Sequence, residues 1–123
     1  MPLVRISKRE EYKKALGDGI HRALIEALDA PAADRFQIIT EHPASGLIYD
    51  SAYLGVQRTN DIVIVQITLS TGRKLGQKRK LYQRIAEVLA EKPGVRPQDV
   101  TINPVEVAWE NWLFGNGEAQ YAL

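Results

Sequence analysis

Residues 61–69, DIVIVQITL, form the densest β-branched run in the chain. A run this short and this apolar reads as an interior strand covered on both faces. Working outward toward the carboxyl end, TGRK (71–74) leads into an amphipathic helix predicted from about Lys74 to Lys92, with Leu81, Ile85, Val88 and Leu89 on one face. PGVRPQD (93–99) breaks that helix, and VTINPVEV (100–107) reads as another strand. Toward the amino end, residues 43–61 are a long connection with a short strand expected at YLGV (53–56), and RFQIITEH (35–42) is a strand. Before it, Leu16, Ile20, Ala23, Leu24 and Ala27 recur at helical spacing, so a helix is expected from Lys8 to about Asp29, ended near Pro31. Ser7 would cap it and Glu10 would complete a capping box. PLVRI (2–6) supplies the first strand.

The order is therefore β-α-β, connection, β-α-β, with a Pro- and Asp-containing turn before the second strand of each half (31–34 and 97–99). This reads as one domain over residues 1–123 built by internal duplication, roughly 2–58 and 59–123. A crossover helix joins parallel strands, so each half is a two-stranded unit with a helix on one face. The predicted fold class is α/β (α+β): two tandem β-α-β units making a four-stranded sheet with two helices on one face. The other face is left bare, and its Ile and Val residues predict a homo-oligomer.

Composition narrows the function. Sixteen Lys and Arg against fifteen Asp and Glu give a net charge of +1, so no global field draws the chain to nucleic acid or an anionic membrane. There is no cysteine, which removes disulfides and thiolate nucleophiles and fits a reducing cytoplasm. With two histidines, no metal site and no cofactor are expected. No apolar run approaches the roughly 20 residues that span a bilayer, so a cytoplasmic protein is expected.

The amino terminus, MPLVRIS, poses a chemical question. Proline is tolerated at the first residue of a strand, where no ladder donor is missed. Trimming of the initiator Met would instead leave Pro2 with a free secondary amine, ionising near or somewhat above the roughly 8 of an ordinary α-amino group. Such an amine can act as general base or general acid.

MP leading directly into strand one, the duplicated βαβ halves, ADRFQIITEHPA, LGVQRT, VIVQIT, TGRKLGQKRKLY and the tail NWLFGNGEAQY together resemble the tautomerase superfamily over nearly the whole chain. Within it the likeness is nearest to the malonate semialdehyde decarboxylases. The resemblance implies a homotrimer whose active sites use the amino-terminal proline, here Pro2. It implies that Arg73 holds a substrate carboxylate, which a guanidinium grips through two parallel hydrogen bonds, with Lys74 beside it. It also implies that Asp34 orients a water or the proline. A neighbouring carboxylate favours the protonated amine, so Asp34 argues for an acid role for Pro2; an ordinary turn aspartate is the alternative. One departure is visible: where the resembled pattern carries two arginines in the loop before the second helix, this chain has Arg73 alone, with Ser70 or Thr71 at the other place.

Phe36, Trp112 and Phe114 could wall an apolar pocket for a flat or aromatic substrate, although aromatics at such density are commonly core. His21, on the edge of the first helix's apolar stripe, reads as a structural imidazole with a working role open. Asn103 stands where the dehalogenase members carry tyrosine. Three functions follow. The first is keto–enol tautomerisation of small 2-oxo acids such as phenylpyruvate, with Pro2 as proton shuttle and Arg73 as carboxylate clamp. The second is cofactor-independent decarboxylation of a 3-oxo acid such as malonate semialdehyde. The third is a non-catalytic trimeric scaffold. The expected partners are a small carboxylate substrate and further copies of the chain.

Overall fold

In a computed structural model, which describes residues 2–8 and 13–122, four strands make one sheet: β1 (Leu3–Lys8), β2 (Phe36–Glu41), β3 (Val63–Ser70) and β4 (Val100–Val107). The order across the sheet is β2-β1-β3-β4. Helix α1 (Lys13–Leu28) connects β1 to its parallel neighbour β2, and α2 (Leu75–Glu91) connects β3 to its parallel neighbour β4. The two β-α-β units meet where β1 runs antiparallel to β3, Leu3 facing Thr68 and Lys8 facing Val63.

Burial on β3 alternates strictly over most of its length. Val63, Val65, Ile67 and Leu69 are buried, while Ile64 and Thr68 are half-buried and Gln66 is exposed. The continuous apolar run is thus covered by helices on one face only, in contrast to the two-sided cover expected from its composition. Val4 and Ile6 of β1 join the covered face. Against it lie Leu16, Ile20, Ala23 and Leu24 of α1 and Leu81, Ile85, Val88 and Leu89 of α2. These are the residues whose spacing predicted the two helical stripes. Burying an aliphatic side chain of this size is worth roughly 1.5–3 kcal/mol, so this layer supplies most of the drive to fold.

Local contacts set the spacing of the layers. Gly17 lets α1 approach β2, where the Gln37 amide donates to the Gly17 carbonyl at 2.8 Å. Arg35 reaches back to Asp18 at 2.8 Å, and hydrogen bonds from Lys14 and Arg35 hold the Asp18 carboxyl down at about 2. At the start of β4, buried Asp99 accepts from the Thr59 backbone N–H (2.6 Å) and hydroxyl (2.7 Å), fastening β4 to the segment before β3.

Two expectations are corrected. Ser7 is not a helix cap: it lies in β1, with Thr40 and Ile64 as its neighbours on either side. Glu10, its expected capping partner, lies outside the described residues. YLGV is not a strand. Tyr53–Gly55 is a single 3-10 turn in which Leu54 and Gly55 have φ of 59° and 73°, which no extended segment accommodates. Among the described residues no helix is long and apolar enough to cross a membrane.

Candidate active site

The strand registers bring four separate segments to one end of the sheet. Leu3 pairs with Phe36 on one side and Thr68 on the other, so Pro2, one residue earlier, lies where β2 begins and β3 ends. Pro2 is buried. From this end β3 runs on to Ser70, opposite Val107 of β4, and into the loop that carries Arg73.

Asp34 stands two residues before β2 and is buried, yet neither carboxylate oxygen has a hydrogen-bond partner among the described residues. Burial pushes its carboxyl above the ordinary range, against the pull of positive charge at the chain's amino terminus and at His21. The contrast with Asp99 is direct. Both are buried aspartates just before a strand, and among the described residues only Asp99 finds hydrogen-bond donors.

Arg73 is half-buried in a loop that turns through Gly72, whose φ of +119° favours glycine. Arg22, Arg35, Arg84 and Arg96 each lie within ion-pair distance of a carboxylate. Arg73 donates instead to the Ser70 carbonyl at 3.3 Å, and no carboxylate pairs with it among the described residues. Its remaining donors suit an anion. Lys74 caps α2 from an exposed position, its backbone N–H donating to the Gln77 side chain at 3.0 Å. Lys78, one turn on, is paired with Glu106.

The tail after β4 folds over the same end. The Trp112 indole donates to the Ser70 hydroxyl at 2.9 Å. Phe114 stacks on Trp112 with centroids 5.2 Å apart and planes 14° apart, and meets Phe36 at 5.6 Å. Tyr121 sets its ring edge-on to Phe114 at 5.5 Å and to Trp109 at 5.2 Å. Gln120 fixes this arrangement, accepting from the Phe114 backbone N–H and donating to the Gly115 carbonyl.

Of the residues singled out from sequence, Phe36, Phe114 and Trp112 are joined by ring contacts, Trp112 and Arg73 both bond Ser70, and the strand registers start Pro2 and the Asp34 turn at this same end of the sheet. His21 sits behind the Asp34 turn; because a carbonyl only accepts, its Nε2–H donates to the Ala32 carbonyl at 3.0 Å. Asn103 stays apart, in the middle of β4 against Gln66. Ser70 and Tyr121 were not singled out as site members. Their place depends on contacts between distant segments, which no local pattern announces. Among the described residues no group of three or more His, Cys, Asp or Glu gathers as a metal site.

Comparisons with known proteins show the family and the fold. Two family models, both described as tautomerase enzyme, match residues 34–115 and 2–56. The probable tautomerase YusQ of Bacillus subtilis (strain 168) is 38% identical over 124 residues, spanning 98% of each chain. Among solved structures, the FG41 malonate semialdehyde decarboxylase inhibited by 3-bromopropiolate superposes with a TM-score of 0.89 at 40% identity, covering 97% of this chain and 93% of that one. A fused 4-OT symmetric trimer shares the fold, with a TM-score of 0.78 at 19% identity and 98% coverage of both chains. This chain belongs to the tautomerase family.

Proposed function

We propose that the chain, once Met1 is removed, decarboxylates a small 3-oxo acid of the malonate semialdehyde kind, with protonated Pro2 as the acid. The observation that carries this reading is the buried Asp34 carboxylate beside the amino-terminal end of β1, without a hydrogen-bond partner among the described residues. A carboxylate there holds a proton on a neighbouring amine. The Pro2 N–H then donates to the 3-oxo oxygen. The C1–C2 bond breaks, carbon dioxide leaves, and the electron pair of that bond forms the C2=C3 double bond of the enol, which takes a proton from water at C2 and returns its O–H proton to the Pro2 nitrogen, giving the aldehyde and protonated Pro2 again. Arg73 orients the departing carboxylate. The Phe36, Phe114 and Trp112 rings keep water from a group that loses its charge as the bond breaks. One unpaired guanidinium matches a substrate with one carboxylate.

A second reading, keto–enol tautomerisation of a 2-oxo acid such as phenylpyruvate, is favoured by the stacked Trp112–Phe114 shelf, which offers a flat face to an aromatic substrate. It stood first on the sequence. The unpaired Asp34 reverses the order, because a proton-abstracting base works best next to groups that lower its affinity for protons. The reading includes a homotrimer, supported by the apolar residues on the uncovered sheet face, among them Phe36, Ile38 and Val105.

The test compares wild type, Pro2→Ala and Arg73→Ala on malonate semialdehyde and phenylpyruvate, with the intact mass of each reporting whether Met1 is gone. Wild type is expected to release carbon dioxide from malonate semialdehyde faster than it tautomerises phenylpyruvate. Pro2→Ala should lose about 10²-fold or more in kcat. Arg73→Ala should raise KM about 10- to 100-fold, the scale of a charged hydrogen-bonded pair. Equal turnover by wild type and Pro2→Ala overturns the reading.

A further inference from the structure

Ser70 ends β3 on the sheet face turned away from the helices, where Gln66 and Thr68, the preceding residues of that face, are exposed and half-buried. Ser70 itself is 0% exposed. It is also where the tail reaches the strand: Trp112 donates its indole N–H to the Ser70 hydroxyl at 2.9 Å. The same residue's carbonyl accepts from the Arg73 guanidinium at 3.3 Å. One serine thus holds an indole from 42 positions further along the chain and a guanidinium from 3 positions further.

We propose that Ser70 is a positioning residue, which fixes the apolar wall and the carboxylate clamp relative to each other so that one small monocarboxylate meets both. The inference rests on the functional reading above. An indole has a single donor and no acceptor, so its N–H has one direction to satisfy, and the Ser70 hydroxyl sets it. Trp112 is only half-buried; without that acceptor its N–H can turn to water. Phe114 is stacked on Trp112 and in contact with Phe36, so a turn of the indole propagates through the wall. Arg73 is moored by the Ser70 backbone, which a side-chain substitution leaves in place. The side-chain variant therefore moves the wall while sparing the clamp.

The test is a double-mutant cycle with wild type, Ser70→Ala, Trp112→Phe and the double variant. Calorimetric titration uses 3-phenylpropanoate, which has one carboxylate and one ring and no oxo group to react. Each single variant is expected to bind it about 3- to 10-fold more weakly, the scale of one neutral hydrogen bond, and the double variant no more weakly than either single. On malonate semialdehyde, kcat/KM should fall by at least a similar factor while its pH dependence, set by Pro2 and Asp34, stays unchanged, a combination that general loosening of the fold does not produce. An unchanged affinity in Ser70→Ala, or single effects that multiply in the double variant, overturns the proposal. Should Ser70→Ala not fold, Trp112→Phe decides alone, because it keeps the stacked ring and removes only the donor and some area; unchanged affinity there overturns the proposal. Failure of the two readings is distinguishable. A wild type that shows this binding pattern but turns over neither oxo acid overturns the proposed reaction and leaves the role of Ser70 standing, whereas a wild type that does not bind the probe overturns the role of Ser70.

Discussion

A buried carboxylate short of hydrogen-bond donors is a cost the fold carries, and at Asp34, which has none among the described residues, the cost has a sign that can be measured. Burial raises this carboxyl above the ordinary carboxylate range, so the folded chain binds the proton more tightly than the unfolded one. Stability from this residue is greatest in acid, begins to fall as the pH rises past the unfolded value near 3.9, and reaches its minimum above the folded value. Asp34→Asn removes the titration and the buried charge. It is expected to stabilise the protein at pH 7, because the amide has no charge to bury, and to leave stability nearly unchanged well below the unfolded value, where both side chains are neutral. Urea unfolding of both proteins at pH 7 and in acid checks this; an Asn variant less stable than wild type at pH 7 sinks the argument. Under the proposed mechanism the same variant loses decarboxylation by about 10-fold or more, since the amine is no longer held protonated. A residue that costs stability and supports turnover is what a working group looks like, and the satisfied Asp99 is its structural counterpart, whose Asn variant should lose stability.

At the scale of elements, two glycines in helices have opposite expected effects. Gly76, in the first turn of α2, has nothing within 4 Å of where a Cβ would stand. Gly76→Ala should therefore stabilise by about 0.5–1 kcal/mol through helix propensity and a stiffer unfolded chain. A Cβ on Gly17 would stand 2.7 Å from the Gln37 side-chain oxygen and 3.2 Å from the Ile39 δ-carbon. Gly17→Ala gains the same propensity but pushes α1 from β2 and strains the Gln37–Gly17 hydrogen bond, for a net loss of about 1 kcal/mol. Urea midpoints of the two variants decide both. These contrasts also show what was legible in the sequence. Both helical stripes, β3 and β4 could be read because their apolar spacing matches the geometry that buries them. Ser7 was misread because a capping pattern is local, whereas pairing with Thr40 and Ile64 on two flanking strands is not. The turn at Tyr53–Gly55 was misread for the same reason: Arg58 gathers the carbonyls of Asp50, Tyr53 and Val56, and that clamp has no periodic trace. In the site, the residues placed by strand register were legible from their motifs. Ser70 was visible only as the place lacking an arginine, because its partner Trp112 lies 42 positions further along the chain.

For the molecule as a whole, the proposed trimer must explain why apolar side chains stand exposed on a hydrogen-bonded connection. Leu54 is 81% exposed and Ile48 85% exposed, in a connection braced by the three Arg58 hydrogen bonds and by Asp50 accepting from the Ala52 N–H. Leu54 also holds a left-handed φ of 59°, a conformation that costs a leucine roughly 1 kcal/mol and suits Asn or Asp better. A residue both strained and exposed breaks two local rules within one chain, and a neighbouring copy that buries it removes the contradiction. Leu54→Asp is accordingly informative. In an isolated chain it relieves backbone strain and exposes a charge to water, so the folded monomer should keep or slightly gain stability. In an assembly it places an unpaired charge in an apolar contact, which costs several kcal/mol for each copy. Wild type is expected to sediment at about three times the 13.8 kDa chain mass, and Leu54→Asp as a folded monomer over the same concentrations. A variant that sediments like wild type removes this turn from the interface, and a wild type of single-chain mass removes the trimer.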